Sequence, residues 1–125
     1  MTTAYLNDLI LDNGLAYLHA NGTDLYICSQ LPSTFVGAST TYAFGTKATP
    51  TIGTPASHSP SGRQVTVSAI TDGEVTVTGT ASHWAIVDTA NSHLLAAAPL
   101  SAPQVVTDGN VFTLASFTVA IPSPA

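Results

Sequence analysis

The side chains able to carry acid–base or metal chemistry in this 125-residue chain are His19, His58, His83 and His93, a single cysteine, Cys28, and seven acidic residues. No two histidines stand at metal-ligand spacing and Cys28 is remote from all four in sequence, so no metal site is expected. His83 and His93 flank Asp88. Ligation or proton transfer there would require the three to converge at one hairpin; otherwise they are ordinary strand-end positions. Twelve serines supply hydroxyls, yet no GxSxG elbow presents a nucleophile and no glycine pattern cradles a phosphate. Cys28 lies in the apolar run LYICSQ, without the basic neighbours that would lower its pKa, and reads as a buried inert thiol. These residues predict no enzyme and no cofactor.

Binding is the remaining chemistry. Small β-sandwiches often stack sugars on exposed aromatics, for which Tyr5, Tyr17, Tyr26, Tyr42 and Trp84 are the candidates. Trp84, in an apolar run, reads as core. Only 7% of residues are charged, against roughly 25% in ordinary soluble domains, whereas Ser and Thr together number 31. With Lys47 and Arg63 the only cationic side chains and a net charge of −5, the chain cannot neutralise a phosphate backbone, and nucleic-acid binding is not expected. A wet, nearly uncharged surface lacks the self-repulsion that keeps monomers apart, so much of it is expected to face other protein chains. The alternative is a monomer with hydroxyl-covered faces. There is no run of 18 apolar residues, and the first 20 carry Asp8 and Asp12 without a basic leader. Neither a membrane span nor a signal peptide is therefore expected. One cysteine excludes an internal disulfide.

The elements that must position these residues read as one all-β domain, a small antiparallel β-sandwich of jelly-roll or immunoglobulin-like type. Residues 1–22 form a short N-terminal helix or arm and residues 23–125 the sandwich. In the N-terminal part, Leu6, Leu9, Ile10, Tyr17 and Leu18 approximate a helical stripe. Asp12-Asn13-Gly14 interrupts it, which predicts a helix beginning at Asp12 or Asn13 and stopping at Asn21-Gly22. Residues 23–30 read as a strand apolar on both faces. Residues 33–60, rich in Thr, Ser, Gly and Pro, predict long connections with short strands at 41–44 and near Thr51-Ile52.

Residues 63–98 read as a four-strand meander. A three-residue turn at Thr71-Asp72-Gly73 sorts apolar from polar residues and places Val67 opposite Val77. Beyond Val77 the alternation changes phase, which predicts a bulge or corner at residues 79–82. Trp84-Ala85-Ile86-Val87, apolar on both faces, marks a central strand. Residues 94–98 continue the sheet to Pro99, a second Thr-Asp-Gly turn follows at residues 107–109, and one long strand spans 111–121. The expected core is Trp84, Ile86, Val67, Val77, Phe117 and Val119.

Taken whole, the segments AYLNDLILDNGLAYL, LYICSQLP, TTYAFG, SGRQVTVSAI with its TDG turn, TGTASHWAIVD and FTLASFTVAIP resemble those of small virion proteins encoded by tailed bacteriophages. The resemblance spans almost the full length and rests on structural segments. It implies a virion structural protein made in the host bacterial cytoplasm, acting as a capsid decoration, head-fibre or tail-attached subunit. The implied partners are the major capsid protein or another virion protein, and the implied state is a homo-oligomer, a trimer being one form. The expected contacts are Tyr5, Leu6, Leu9, Ile10 and Tyr42, in the N-terminal segment and the 33–60 loops. A receptor- or glycan-binding module at a fibre or tail tip is the alternative, and it requires clustered exposed tyrosines. Neither nucleic acid nor membrane is an expected partner.

Overall fold

A computed structural model describes residues 8–57 and 62–121 and shows an all-β sandwich with one helix. The chain runs α1 (Asp8–Asn21), β1 (Asp24–Cys28), a π-helical turn (Gly37–Thr41), β2 (Ala43–Ala48), β3 (Ala56–Ser57), β4 (Arg63–Val67), β5 (Ile70–Val75), β6 (Gly79–Asp88), β7 (His93–Val106), β8 (Val111–Leu114) and β9 (Phe117–Ile121). Two antiparallel sheets result, one ordered β7-β6-β1-β2-β5-β8 and a smaller one ordered β3-β4-β9.

The centre of the larger sheet follows from the two strands that are apolar on both faces. β1 pairs with β6 so that Leu25 meets Ile86 and Ile27 meets Trp84, while Tyr26 meets Ala85 on the opposite face. Leu25, Ile27, Trp84 and Ile86 enter the main core with Val65 and Val67 of β4, Phe112 of β8, and Leu15 and Leu18 of α1. Behind them, Cys28, Ala85 and Val87 form a second buried layer with Ala38, packed by Phe35 and Tyr42 from around the π-turn. Each large side chain so buried contributes about 1.5–3 kcal/mol. Trp84 and Phe117 bind the two sheets together, their ring centroids 4.5 Å apart and tilted by 35°.

Of the expected core, Trp84, Ile86 and Val67 are buried, and Phe117 and Val119 are partly buried against them. Val77 is not core. It is 46% exposed, because the expected Val67–Val77 hairpin does not form. Val67 instead pairs with Phe117 in the smaller sheet, and the chain changes sheets between β4 and β5. Thr71-Asp72-Gly73 lies within β5, where Gly73 pairs with Phe112 and Asp72 accepts a 3.0 Å hydrogen bond from Lys47 of β2. A Cβ on Gly73 would stand 2.3 Å from the Phe112 ring. Here glycine admits an aromatic side chain and makes no turn. The second Thr-Asp-Gly does turn, with Gly109 at φ +90° and the Asn110 N–H donating to the Thr107 carbonyl.

Three further expectations change. The helix begins at Asp8, running through Gly14, and stops as expected at Asn21, with the Gly22 N–H donating to the Leu18 carbonyl at 2.9 Å. β7 does not end at Pro99 but continues through Pro103, which an edge strand tolerates because a proline nitrogen there faces away from the ladder. The stretch 111–121 is two strands in different sheets, broken at Ala115-Ser116. The phase change falls where expected: the β6–β7 register slips between Ala81 and His83, against 99–104 of β7.

Candidate functional site

The β6–β7 hairpin positions His83, Asp88 and His93, and it uses Asp88 structurally. Asp88 is 1% exposed. Its Oδ1 accepts from the Asn91 N–H at 3.3 Å and its Oδ2 from Asn91 Nδ2 at 2.7 Å, closing the turn before His93. His93 pairs with Asp88 in the ladder, whereas His83 lies five residues further along β6, roughly 17 Å at about 3.4 Å per residue. The His-Asp-His cluster therefore does not assemble. Among the described residues no three His, Cys, Asp or Glu side chains group to hold a metal.

A serine–histidine contact does exist at Ser82, whose Oγ lies 2.7 Å from His83 Nδ1. Its polarity is the reverse of nucleophile activation. The Ser82 hydroxyl donates its only proton to the Ser29 carbonyl at 2.9 Å, so Oγ can only accept from the ring N–H. His19 Nδ1 similarly donates to the Ile52 carbonyl at 2.6 Å, fixing α1 to the loop before β3. His58 lies outside the described residues. The Cys28 thiol, fully buried, donates to the Ala38 carbonyl at 3.6 Å, and burial pushes its pKa up to about 11. It is the inert thiol the sequence predicts.

What remains is surface for binding. A cleft of about 380 Å³ opens where residues 98–101 of β7 face residues 114–118 around the β8–β9 break. Trp84, Leu100, Leu114 and Phe117 line it with Pro99, Ser116 contributes a hydroxyl, and no charged side chain borders it. β7 ends the larger sheet and β9 the smaller, so two strand edges lie beside the cleft without a further ladder partner among the described strands. Exposed apolar side chains gather at the other end of β7. Val105 is 80% exposed and Val111 65%, and both flank the 107–110 turn. That turn reaches Val77's neighbours through Gly109 N–H to the Val75 carbonyl and Asp108 N–H to Thr78 Oγ1.

Of the expected contact residues, Tyr42 does not line the cleft. Tyr42 packs on the second buried layer, Leu9 and Ile10 are placed only as backbone positions of α1, and Tyr5 and Leu6 lie outside the described residues. The cleft was invisible to a strand-by-strand reading because it arises where two strands part. The signal available was the pair Pro99 and Pro103 inside an apolar run, which marks a sheet edge. No helix among the described residues is long and apolar enough to cross a membrane. No family model, curated protein or solved structure matches this chain.

Proposed function

We propose that this protein is a structural subunit of a tailed-bacteriophage virion, made in the host cytoplasm and held on the capsid or tail by protein–protein contact, where it decorates or stabilises the particle. The observation that carries the contact role is the uncharged apolar cleft over Trp84 and Phe117, flanked by two strand edges. Apolar floors with hydroxyl rims exclude water well and cost little desolvation, as the centres of protein interfaces require. A chain with 7% charged residues exposes few groups that would oppose close packing in a lattice. The placement in a virion rests on the resemblance of its segments to small phage structural proteins, and the partner is accordingly the major capsid protein or another virion protein.

The glycan-binding alternative is less well supported. Tyr26 and Tyr42 pack on the second buried layer, Trp84 is 8% exposed, and of the described tyrosines only Tyr17 is exposed. The test is antibody labelling of purified particles, read by electron microscopy. Labels at repeated positions on the head or tail are expected. Unlabelled particles from a lysate rich in the protein would contradict the proposal, and retention on immobilised glycans would favour the alternative.

A further inference from the structure

β7 is the longest strand, and its outer edge is defended over only part of its length. Natural edge strands avoid pairing with other chains through prolines, charges and bulges. Pro99, Pro103 and the register slip opposite Ala81 and His83 supply such defences for residues 99–104. Residues 93–98, HLLAAA, have no proline, and no Asp, Glu, Lys or Arg occurs anywhere in β7. A second register slip, between Ile86 and Val87, sets Leu94 opposite Val87 and passes over Leu95; the regularly paired, undefended part is therefore residues 96–98, with Ala98 opposite Trp84, Ala97 opposite Ala85 and Ala96 opposite Ile86.

Both hydrophobic layers are also left open here. Leu95, Ala96 and Ala98 pack against the main core, and Leu94 and Ala97 against the second layer, all of them only partly buried. A partner strand must therefore bring apolar side chains on both of its faces and no charge. Among the described strands, β7 itself presents such an edge.

We infer that β7 pairs antiparallel with β7 of a second copy, centred on residues 96–98, across a two-fold axis perpendicular to the sheet. That operation continues the sheet and keeps each face on its own side, so main core meets main core and second layer meets second layer. In a chain of net charge −5, an edge without charge is also where two copies approach with least repulsion. The inference names a partner for the assembly role proposed above and rests on it.

Proline chemistry supplies a selective test. Pro99 stands in the ladder opposite His83, so its nitrogen faces away from β6. By the period of two, the Ala97 N–H also faces outward and the Ala96 N–H faces β6. Ala97→Pro removes an outward donor from both copies while sparing the β6 ladder. It is expected to weaken dimerisation on the order of 100-fold. Wild-type protein should show twice the 12.7 kDa chain mass by light scattering, and Ala97→Pro the single mass with its thermal unfolding still cooperative. Amide exchange gives a readout independent of any variant. The Ala97 N–H is protected in concentrated wild-type protein and exposed on dilution, while the Ala96 N–H stays protected throughout. A monomeric or trimeric wild type, or Ala97 exchange that ignores concentration, would overturn the pairing. A monomer that still labels particles overturns the pairing alone, whereas a dimer missing from particles overturns the virion reading alone.

Discussion

The Cys28 thiol and the Trp84 ring occupy opposite faces of the paired strands β1 and β6, and burial acts on each differently. Around Cys28 the desolvated site disfavours the thiolate, so the folded thiol keeps its proton to about pH 11, against an ordinary value of 9.0. Below about pH 9 the thiol is protonated both folded and unfolded, and stability is unaffected. As pH climbs from about 9 towards 11 the unfolded chain ionises first, and stability falls. Burial, and secondarily the Asp24 charge, raises the Tyr26 pKa too, which adds a loss of the same sign at high pH. Urea midpoints are expected to drop between about pH 8 and pH 10.5, and to drop less in Cys28→Ala. Iodoacetamide should leave Cys28 unmodified in the native protein and alkylate it rapidly in urea. Trp84 is the larger energetic element. Trp84→Ala removes the contact with Phe117 that joins the sheets, and its cost, measured by urea unfolding, is expected to be about 3–5 kcal/mol.

β5 and the 107–110 turn contain the same tripeptide, Thr-Asp-Gly, in two unrelated conformations. Gly109 has a positive φ and open space around it, while Gly73 sits flat in a ladder with the Phe112 ring where a side chain would be. Gly73→Ala is expected to destabilise by about 1–3 kcal/mol through overpacking against Phe112, seen as a lowered urea midpoint with an unchanged slope. Local turn chemistry is the same in both copies, so it could not distinguish them. What decides is whether an aromatic side chain from a strand distant in sequence needs the space. The Val67–Val77 pairing does not form for a different reason, nor does the single strand over 111–121: each requires that neighbours in sequence stay in one sheet, and the chain changes sheets at both places. β1 and β6 were legible because burial on both faces leaves an apolar run that admits few other interpretations. The end of α1 was legible from Asn21-Gly22, and the corner at 79–82 from the switch in alternation. β7 was legible only to Pro99, because a proline reads as a stop although at an edge it costs no ladder bond.

At the scale of the molecule, two hydrophobic layers share one sheet. The main core lies between the sheets and the second lies behind β1 and β6 under the π-turn, and both run out at β7. At the far end of that strand, Gln104 Nε2 donates to the Thr113 carbonyl of β8 at 3.0 Å, linking the two outer strands of the curled sheet. Between that link and the β6–β7 hairpin lie the Trp84–Phe117 cleft and the undefended edge, so the surface fit for contact is concentrated on one side. None of it was legible as a site, since no catalytic or ligand motif marks it and its residues are ordinary apolar ones. We propose that this surface serves assembly in a phage particle. Quantitative peptide mass spectrometry of gradient-purified phage particles, from cultures producing the chain, tests it most directly. The account predicts a fixed copy number relative to the major capsid protein across preparations. Protein abundant in the lysate but absent from intact, infectious particles would contradict it.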